Sequence, residues 1–293
     1  MKYIRTSLIT TIILLSLFLG FLIPQSSVFS ARTIDLSIDY APETKIELSC
    51  PVIPPAYGKG EHWAIIMGIS DYKAIGDLNF CDDDANDWYL YLTELGYEHI
   101  LVFGDNSSYY YQYDGLATEY NIKQALYYVV SNAGMKDSIS FITSGHGSTG
   151  GKGASLLCMW DYGMPENGED GRFWDFELAS ILELAIAKQI FVFIDHCFAG
   201  GFGPELLIIS NSEKIYFAAA CTDKGMGWDA PEFNNGLWTY YFLEFTLINY
   251  FNSNPRTTME EAFDYASLNF KFQNGVMIPE EYDGNLDEFF LLI

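Results

Sequence analysis

The sequence predicts an α/β fold with a mostly parallel central sheet, and two observations carry that prediction. Two short apolar runs, Ser-Ile-Ser-Phe-Ile-Thr-Ser before Gly145 and Gln-Ile-Phe-Val-Phe-Ile before Asp195, are rich in β-branched and aromatic residues. Both are bounded by polar or glycine segments, as buried strands are. A helix-length pattern over 173–187 separates them, and strand, helix, strand with short links implies parallel neighbours in one sheet. Strand and helix signals also alternate from residue 62 to the end, so 61–293 read as one α/β domain.

The elements follow in order. Residues 62–72 are mostly apolar and predict a central strand. Ala85, Trp88, Leu92 and Leu95 fall at helical spacing, with Gly96 as a stop. The Asp run at 82–84 stands at that helix's start, where carboxylates suit the free N–H groups and the positive dipole end. Residues 99–105 predict a second strand and 117–135 a second helix. After the two core strands, 214–221 predict a further strand and 237–251 a helix. A last helix over 257–271 opens on Thr257 or Thr258 followed by Glu260 and Glu261, a capped start. Residues 287–293 predict a last strand.

The N-terminus reads as a targeting segment. Lys2 and Arg5 precede an uncharged apolar run over 8–23, and Val28-Phe-Ser30 before Ala31 has small residues where a signal peptidase cuts. Residues 1–30 are therefore a signal peptide or an uncleaved membrane anchor, the run being slightly short for a span. Either way the chain is exported, secreted or held at the outer face of the membrane. Residues 31–60 hold Pro42, Pro51, Pro54 and Pro55 and read as an extended lead-in or propeptide. The net charge of −24 excludes nucleic-acid partners and favours cationic peptides or divalent cations. Contact with a membrane is expected only through the N-terminal segment.

Chemistry concentrates where the two core strands end. Ser144-Gly-His146-Gly147 closes one and Asp195-His-Cys197-Phe-Ala-Gly200 the other. Parallel strands put these ends on one edge, where open α/β sheets carry their sites. A thiol beside an imidazole is a nucleophile beside its base, and Cys197 lies 51 residues after His146, close to the caspase spacing of about 50. No CxxC or HxxxH spacing supports zinc on His146, His196 and Cys197.

These motifs resemble the caspase-like cysteine peptidases, which include the metacaspases. Further matches are the strand over 64–72, Cys81-x-x-Asp84-Ala, Ala218-Ala-Ala, and Gly236-Leu-Trp-Thr-Tyr, so the resemblance covers roughly 61–293. It implies a three-layer α/β/α caspase-like fold, Cys197 as nucleophile and His146 as acid/base, with an oxyanion hole from the backbone N–H groups of Gly147 and Cys197. In metacaspases the positions matching Asp195, Asp84, Cys81 and Ser144 line the first substrate pocket. A carboxylate near a nucleophilic thiol raises its pKa, which makes sense if the substrate brings a cation. The resemblance thus implies an endopeptidase that acts on proteins or peptides after Arg or Lys, with no obligatory cofactor.

The chain also departs from that family. Ala199 stands where Ser is common. His196 replaces Ser or Cys and is expected on the face opposite Cys197. Calcium-dependent metacaspases use a paired Asp where this chain reads Trp174-Asp175; calcium at Asp175 stays open, one ligand short of a set that needs six or more oxygens. The linker over 202–213 is short and lacks arginine, so an uncut chain is expected, with Arg172 and Lys214 the nearest basic residues for self-cleavage. Two further readings stand beside the peptidase: a catalytically silent caspase-like module binding peptides or a partner protein, and an acidic calcium-binding surface protein.

Overall fold

The computed structural model describes residues 59–271 and 277–293. The expected signal peptide or anchor, and all of the lead-in but residues 59 and 60, lie outside them. Among the described residues no helix is long and apolar enough to cross a membrane.

In chain order the elements are β1 (His62–Gly68), α1 (Cys81–Leu95), β2 (His99–Gly104), β3 (Gly115–Leu116), α2 (Glu119–Asn132), β4 (Ser138–Ser144), β5 (Gly147–Thr149), β6 (Ser155–Cys158), β7 (Arg172–Trp174) and α3 (Asp175–Leu182). There follow β8 (Gln189–Asp195), α4 (Phe202–Leu207), β9 (Ile215–Ala219), β10 (Asp229–Ala230), β11 (Asn235–Gly236), α5 (Leu237–Thr239) running into a π-helix over Tyr240–Tyr250, α6 (Met259–Asn269) and β12 (Glu280–Asp283). The main sheet has the order β12-β9-β8-β4-β1-β2-β3. All its pairings are parallel except β12 on β9. This is the three-layer α/β/α caspase-like architecture: α1 and α6 gather with the π-helix, and α2, α3 and α4 gather with one another.

The apolar runs take the centre because they can be buried on both faces. Every residue of β1, β4 and β8 is buried. Side chains alternate along a strand, so Phe191, Phe193 and Asp195 share one face of β8. Trp88 of α1 and Phe242 of the π-helix pack there, with ring centroids 4.9 Å and 5.3 Å from Phe193. Full burial of each such ring stabilises by about 1.5–3 kcal/mol. The helix ends behave as expected. Asp82, Asp83 and Asp84 occupy the first turn of α1, and Gly96 closes it at φ 92°, where only glycine is free of a Cβ penalty. Thr258 caps α6 and accepts from Glu261 N at 3.1 Å.

Two features differ from the expectations. Residues 287–293 form no strand; Phe290 makes one isolated bridge to Thr258 at the start of α6, its carbonyl accepts from Gln189 of β8, and Phe289 packs on Phe191 and Tyr216. The last strand is instead β12, Glu-Glu-Tyr-Asp. An antiparallel edge strand with one side in water needs no apolar run, so its acidic sequence hides it. Between β4 and β8 the chain also makes a small antiparallel sheet, β5-β6-β7, whose short strands carry no periodic signal.

Candidate active site

The site begins at the carboxyl ends of β4 and β8. These neighbours are in register, with Ser144 opposite Asp195, and both chains turn immediately afterwards. The turns place His146 and Cys197 on the wall of one cavity of about 400 Å³. Cys81, Ser144 and Asp195 line it too, as does Asp229, while Leu78, Met226 and Trp228 line other parts of its wall. No Lys or Arg is among the lining residues.

His146 is held by its own segment and by the loop after β1. Its backbone N–H donates to the Tyr72 hydroxyl at 2.7 Å, and the two rings lie 5.0 Å apart. Its Nε2 lies 2.8 Å from the Gly76 carbonyl. A carbonyl only accepts, so Nε2 carries the proton and Nδ1 keeps its lone pair as the basic atom. Gly76 thus supplies the orienting partner for which the sequence offered no side chain; a backbone carbonyl in a loop leaves no trace in residue types.

Cys197 is partly exposed, and its thiol donates weakly to the Gly227 carbonyl, 3.7 Å from Sγ. Burial raises its pKa above the ordinary thiol value, and Asp195 and Asp229 add to the rise. Phe198, next in the chain, takes φ 61°. That left-handed conformation is strained for a bulky residue and recurs where backbone is held for function. Gly147 passes so close to this turn that a Cβ there would lie 2.0 Å from the Cys197 carbonyl oxygen. Only glycine permits the approach that brings the backbones of Gly147 and Cys197 together.

His196 departs from the expectation that it turns away from Cys197. The strand ends at Asp195, so alternation no longer applies, and His196 lines the same cavity. It is buried, and burial lowers its pKa to about 3. As a neutral ring its Nδ1–H donates to the His146 carbonyl at 2.9 Å. Its Nε2 is buried without a hydrogen-bond partner among the described residues.

The four expected pocket residues do come together, in two layers. Ser144, Cys81 and Asp195 reach the cavity. Asp84 sits behind them, where its two oxygens accept from Ser144 Oγ at 2.5 Å and Gly236 N at 2.8 Å. Asp195 Oδ2 accepts from Thr239 N at 2.8 Å and Thr239 Oγ1 at 3.0 Å. Gly236 separates the two acids: a Cβ on it would meet Asp195 Oδ2 at 2.5 Å and Asp84 Oδ2 at 2.7 Å. Both carboxyls are raised. For Asp195 burial is the main cause, against the Thr239 hydrogen bonds, and carries it to about 7. For Asp84 burial leads and Asp195 follows. Burial likewise raises the Cys81 thiol, with Asp84 adding.

Asp229 was missed. It joins the cavity wall and accepts from Asn79 N at 3.0 Å. A single Asp in the two-residue strand β10, far along the chain, carries no spacing signal.

Asp175, where the sequence left calcium open, is the first residue of α3. Asp175 is buried, and its oxygens accept from Ser155 N at 2.6 Å and Phe176 N at 2.7 Å. Among the described residues no group of three or more His, Cys, Asp or Glu is placed to hold a metal ion.

Comparison with known proteins agrees with this geometry. The crystal structure of protein GSU0716 from Geobacter sulfurreducens is similar, with a TM-score of 0.55 at 16% identity over 76% of this chain and 92% of that one; at that identity the likeness shows the fold alone. No curated protein matches. The family model for the metacaspase peptidase C14 domain matches residues 62–203, a span that holds both strand ends and the residues His146 and Cys197. With the seven-stranded sheet and its crossovers, that match supports a caspase-like, metacaspase assignment carried by residues 62–203.

Proposed function

We propose that this protein is a cysteine endopeptidase that cuts after Arg or Lys, with Cys197 as nucleophile and His146 as acid/base. The observation that carries the reading is the cavity itself: a thiol and an imidazole share it with Asp195 and Asp229, backed by Asp84, and no cation lines it. Buried carboxylates need a partner, and an arginine or lysine side chain brings one.

The chain's own groups suffice for the chemistry. The substrate cation enters, the acidic pair releases its proton to solvent, and the cation offsets the new negative charge beside the thiol. Cys197 passes its proton to His146 Nδ1, and the thiolate attacks the scissile carbonyl. The N–H groups of Gly147 and Cys197 hold the oxygen that becomes charged. His146 then protonates the leaving amine from Nδ1. Water, with its proton taken by the same atom, hydrolyses the acyl-enzyme.

A second reading keeps the pocket without turnover. The raised thiol of Cys197 favours a peptide-binding module that is silent as an enzyme. Fluorogenic peptides ending in Arg, Lys or Asp, tested on the protein and on Cys197→Ala, separate the two. Cleavage after Arg or Lys that vanishes in the variant supports the peptidase. Faster cleavage after Asp refutes the pocket assignment. Saturable binding of an Arg peptide without cleavage supports the silent module. Export is part of the proposal, on the apolar run over 8–23, and N-terminal sequencing of protein from the medium tests it.

A further inference from the structure

The acidic segment is gathered around an ammonium group. Lys123 of α2 reaches Glu119 Oε1 at 2.6 Å, Glu169 Oε2 at 2.8 Å and Glu177 Oε1 at 2.7 Å. Three N–H donors meet three carboxylates, which matches the full donor capacity of a lysine. Its side chain is 13% exposed and that of Glu119 2%. Burial alone would lower the Lys123 pKa; the hydrogen bonds to the three carboxylates reverse this and raise it.

The other oxygens of Glu119 and Glu177 hold the segment's backbone. Glu119 Oε2 accepts from Asp170 N at 3.1 Å and Arg172 N at 3.0 Å, and Glu177 Oε2 accepts from Trp174 N at 3.0 Å. Nearby, Asp161 accepts from Glu166 N at 2.9 Å. Lys73 pairs with Glu166, donates to the Met164 carbonyl and lies over the Trp160 ring. Lys73 stands three residues before Gly76, whose carbonyl orients His146. The segment also delivers Asp175 to Ser155 of β6, the strand paired with β5, and β5 starts at Gly147.

We propose that Lys123 is a built-in counter-cation, which does here what a dissociable divalent ion would do: it cancels the repulsion within the acidic segment and orders it against α2 and α3. The segment is therefore ordered without calcium. The inference does not rest on peptidase activity, because order and stability report it directly.

The test uses the full chain and two readouts, thermal melting and limited proteolysis of 161–177. Both are taken in EDTA, and in millimolar calcium against potassium chloride of equal ionic strength. The wild type is expected to melt at the same temperature in all three and to resist cleavage in the segment. Lys123→Met is expected to melt about 6 °C or more lower in EDTA, since a partner of buried charges is lost, and to be cut within the segment. Calcium, but not potassium, should then recover at least half of both losses. Should Lys123→Met fail to fold, Lys123→Met/Glu169→Gln, which also removes the most exposed carboxylate, takes its place with the same calcium recovery expected. Calcium stabilisation of the wild type would overturn the proposal. So would a Lys123→Met protein as stable as wild type, or losses that calcium does not recover.

Discussion

Replacing Asp195 by Asn should make the protein more stable and far less active, and the gain in stability should depend on pH. Asn keeps an oxygen that can accept from Thr239 N and Thr239 Oγ1, so the local geometry survives. What disappears is a buried carboxyl whose pKa stands at about 7 against an ordinary 3.8. At about 1.4 kcal/mol per pH unit this is about 4 kcal/mol. The folded protein binds that proton more tightly than the unfolded chain does. The stabilisation is therefore complete below the unfolded value and is lost as pH rises through about 7. At pH 8 the wild type carries the whole penalty and Asp195→Asn none. Asp84 remains and shares the burden, so a gain of about 2 kcal/mol, or ~4–8 °C in Tm for a domain of this size, is the expected floor. At pH 5, above the unfolded value of 3.8 but below about 7, about 1.6 kcal/mol of the full penalty already applies, so the advantage of the Asn variant should be less than half of that at pH 8. For an Arg peptide, losing a buried charged partner costs about 3–5 kcal/mol, so kcat/KM should fall by roughly two to three and a half orders of magnitude. Melting at pH 5 and pH 8, with peptide kinetics at pH 8, checks this. An Asn variant that melts at or below wild type at pH 8, or a difference unchanged between the two pH values, would refute the reasoning.

The same acid shapes three further outcomes. In the wild type, kcat/KM for Arg peptides should fall about tenfold per pH unit below about 7, because the pair must release its proton to receive the cation; a flat profile down to pH 5 removes the pair from recognition. Iodoacetamide should alkylate Cys197 slowly at pH 7 and faster in Asp195→Asn, since a carboxylate beside the thiol is gone; equal rates measured by mass spectrometry would show that the two do not sense each other. Gly236→Ala should lose most Arg-peptide cleavage and about 1–3 kcal/mol of stability, its Cβ falling 2.5 Å from Asp195 Oδ2; full activity would mean that the acids need not be so close.

The central sheet was legible because burial on both faces demands apolar strands, and β1, β4 and β8 announce themselves so. His146, Cys197, Asp195, Ser144 and Cys81 were legible because each stands at a strand end or helix start. What the sequence hid obeys weaker rules. β12 is an edge strand, for which polar residues serve as well as apolar ones. Gly76 acts through its carbonyl, which every residue owns. Asp229 is brought to the cavity by the fold alone. Asp84 was found, but its place behind Ser144 is a matter of depth, and spacing along a chain does not encode depth. Lys123 carries no signal in the sequence, because the three glutamates that close on it come from α2, the acidic segment and α3.

The two borders of the main sheet bear on crowding. Unpaired strand edges invite a second chain to add on, and proteins blunt them with short strands or charge. β3 is two residues long, and β12 carries Glu280, Glu281 and Asp283. The long apolar strands that could template a fibril, β1, β4 and β8, are enclosed between neighbours. With a net charge of −24, two copies meeting border to border repel before backbone can pair. The folded protein is built to stay dispersed at high concentration, and its hazard lies in the unfolded chain, where those same strands are bare.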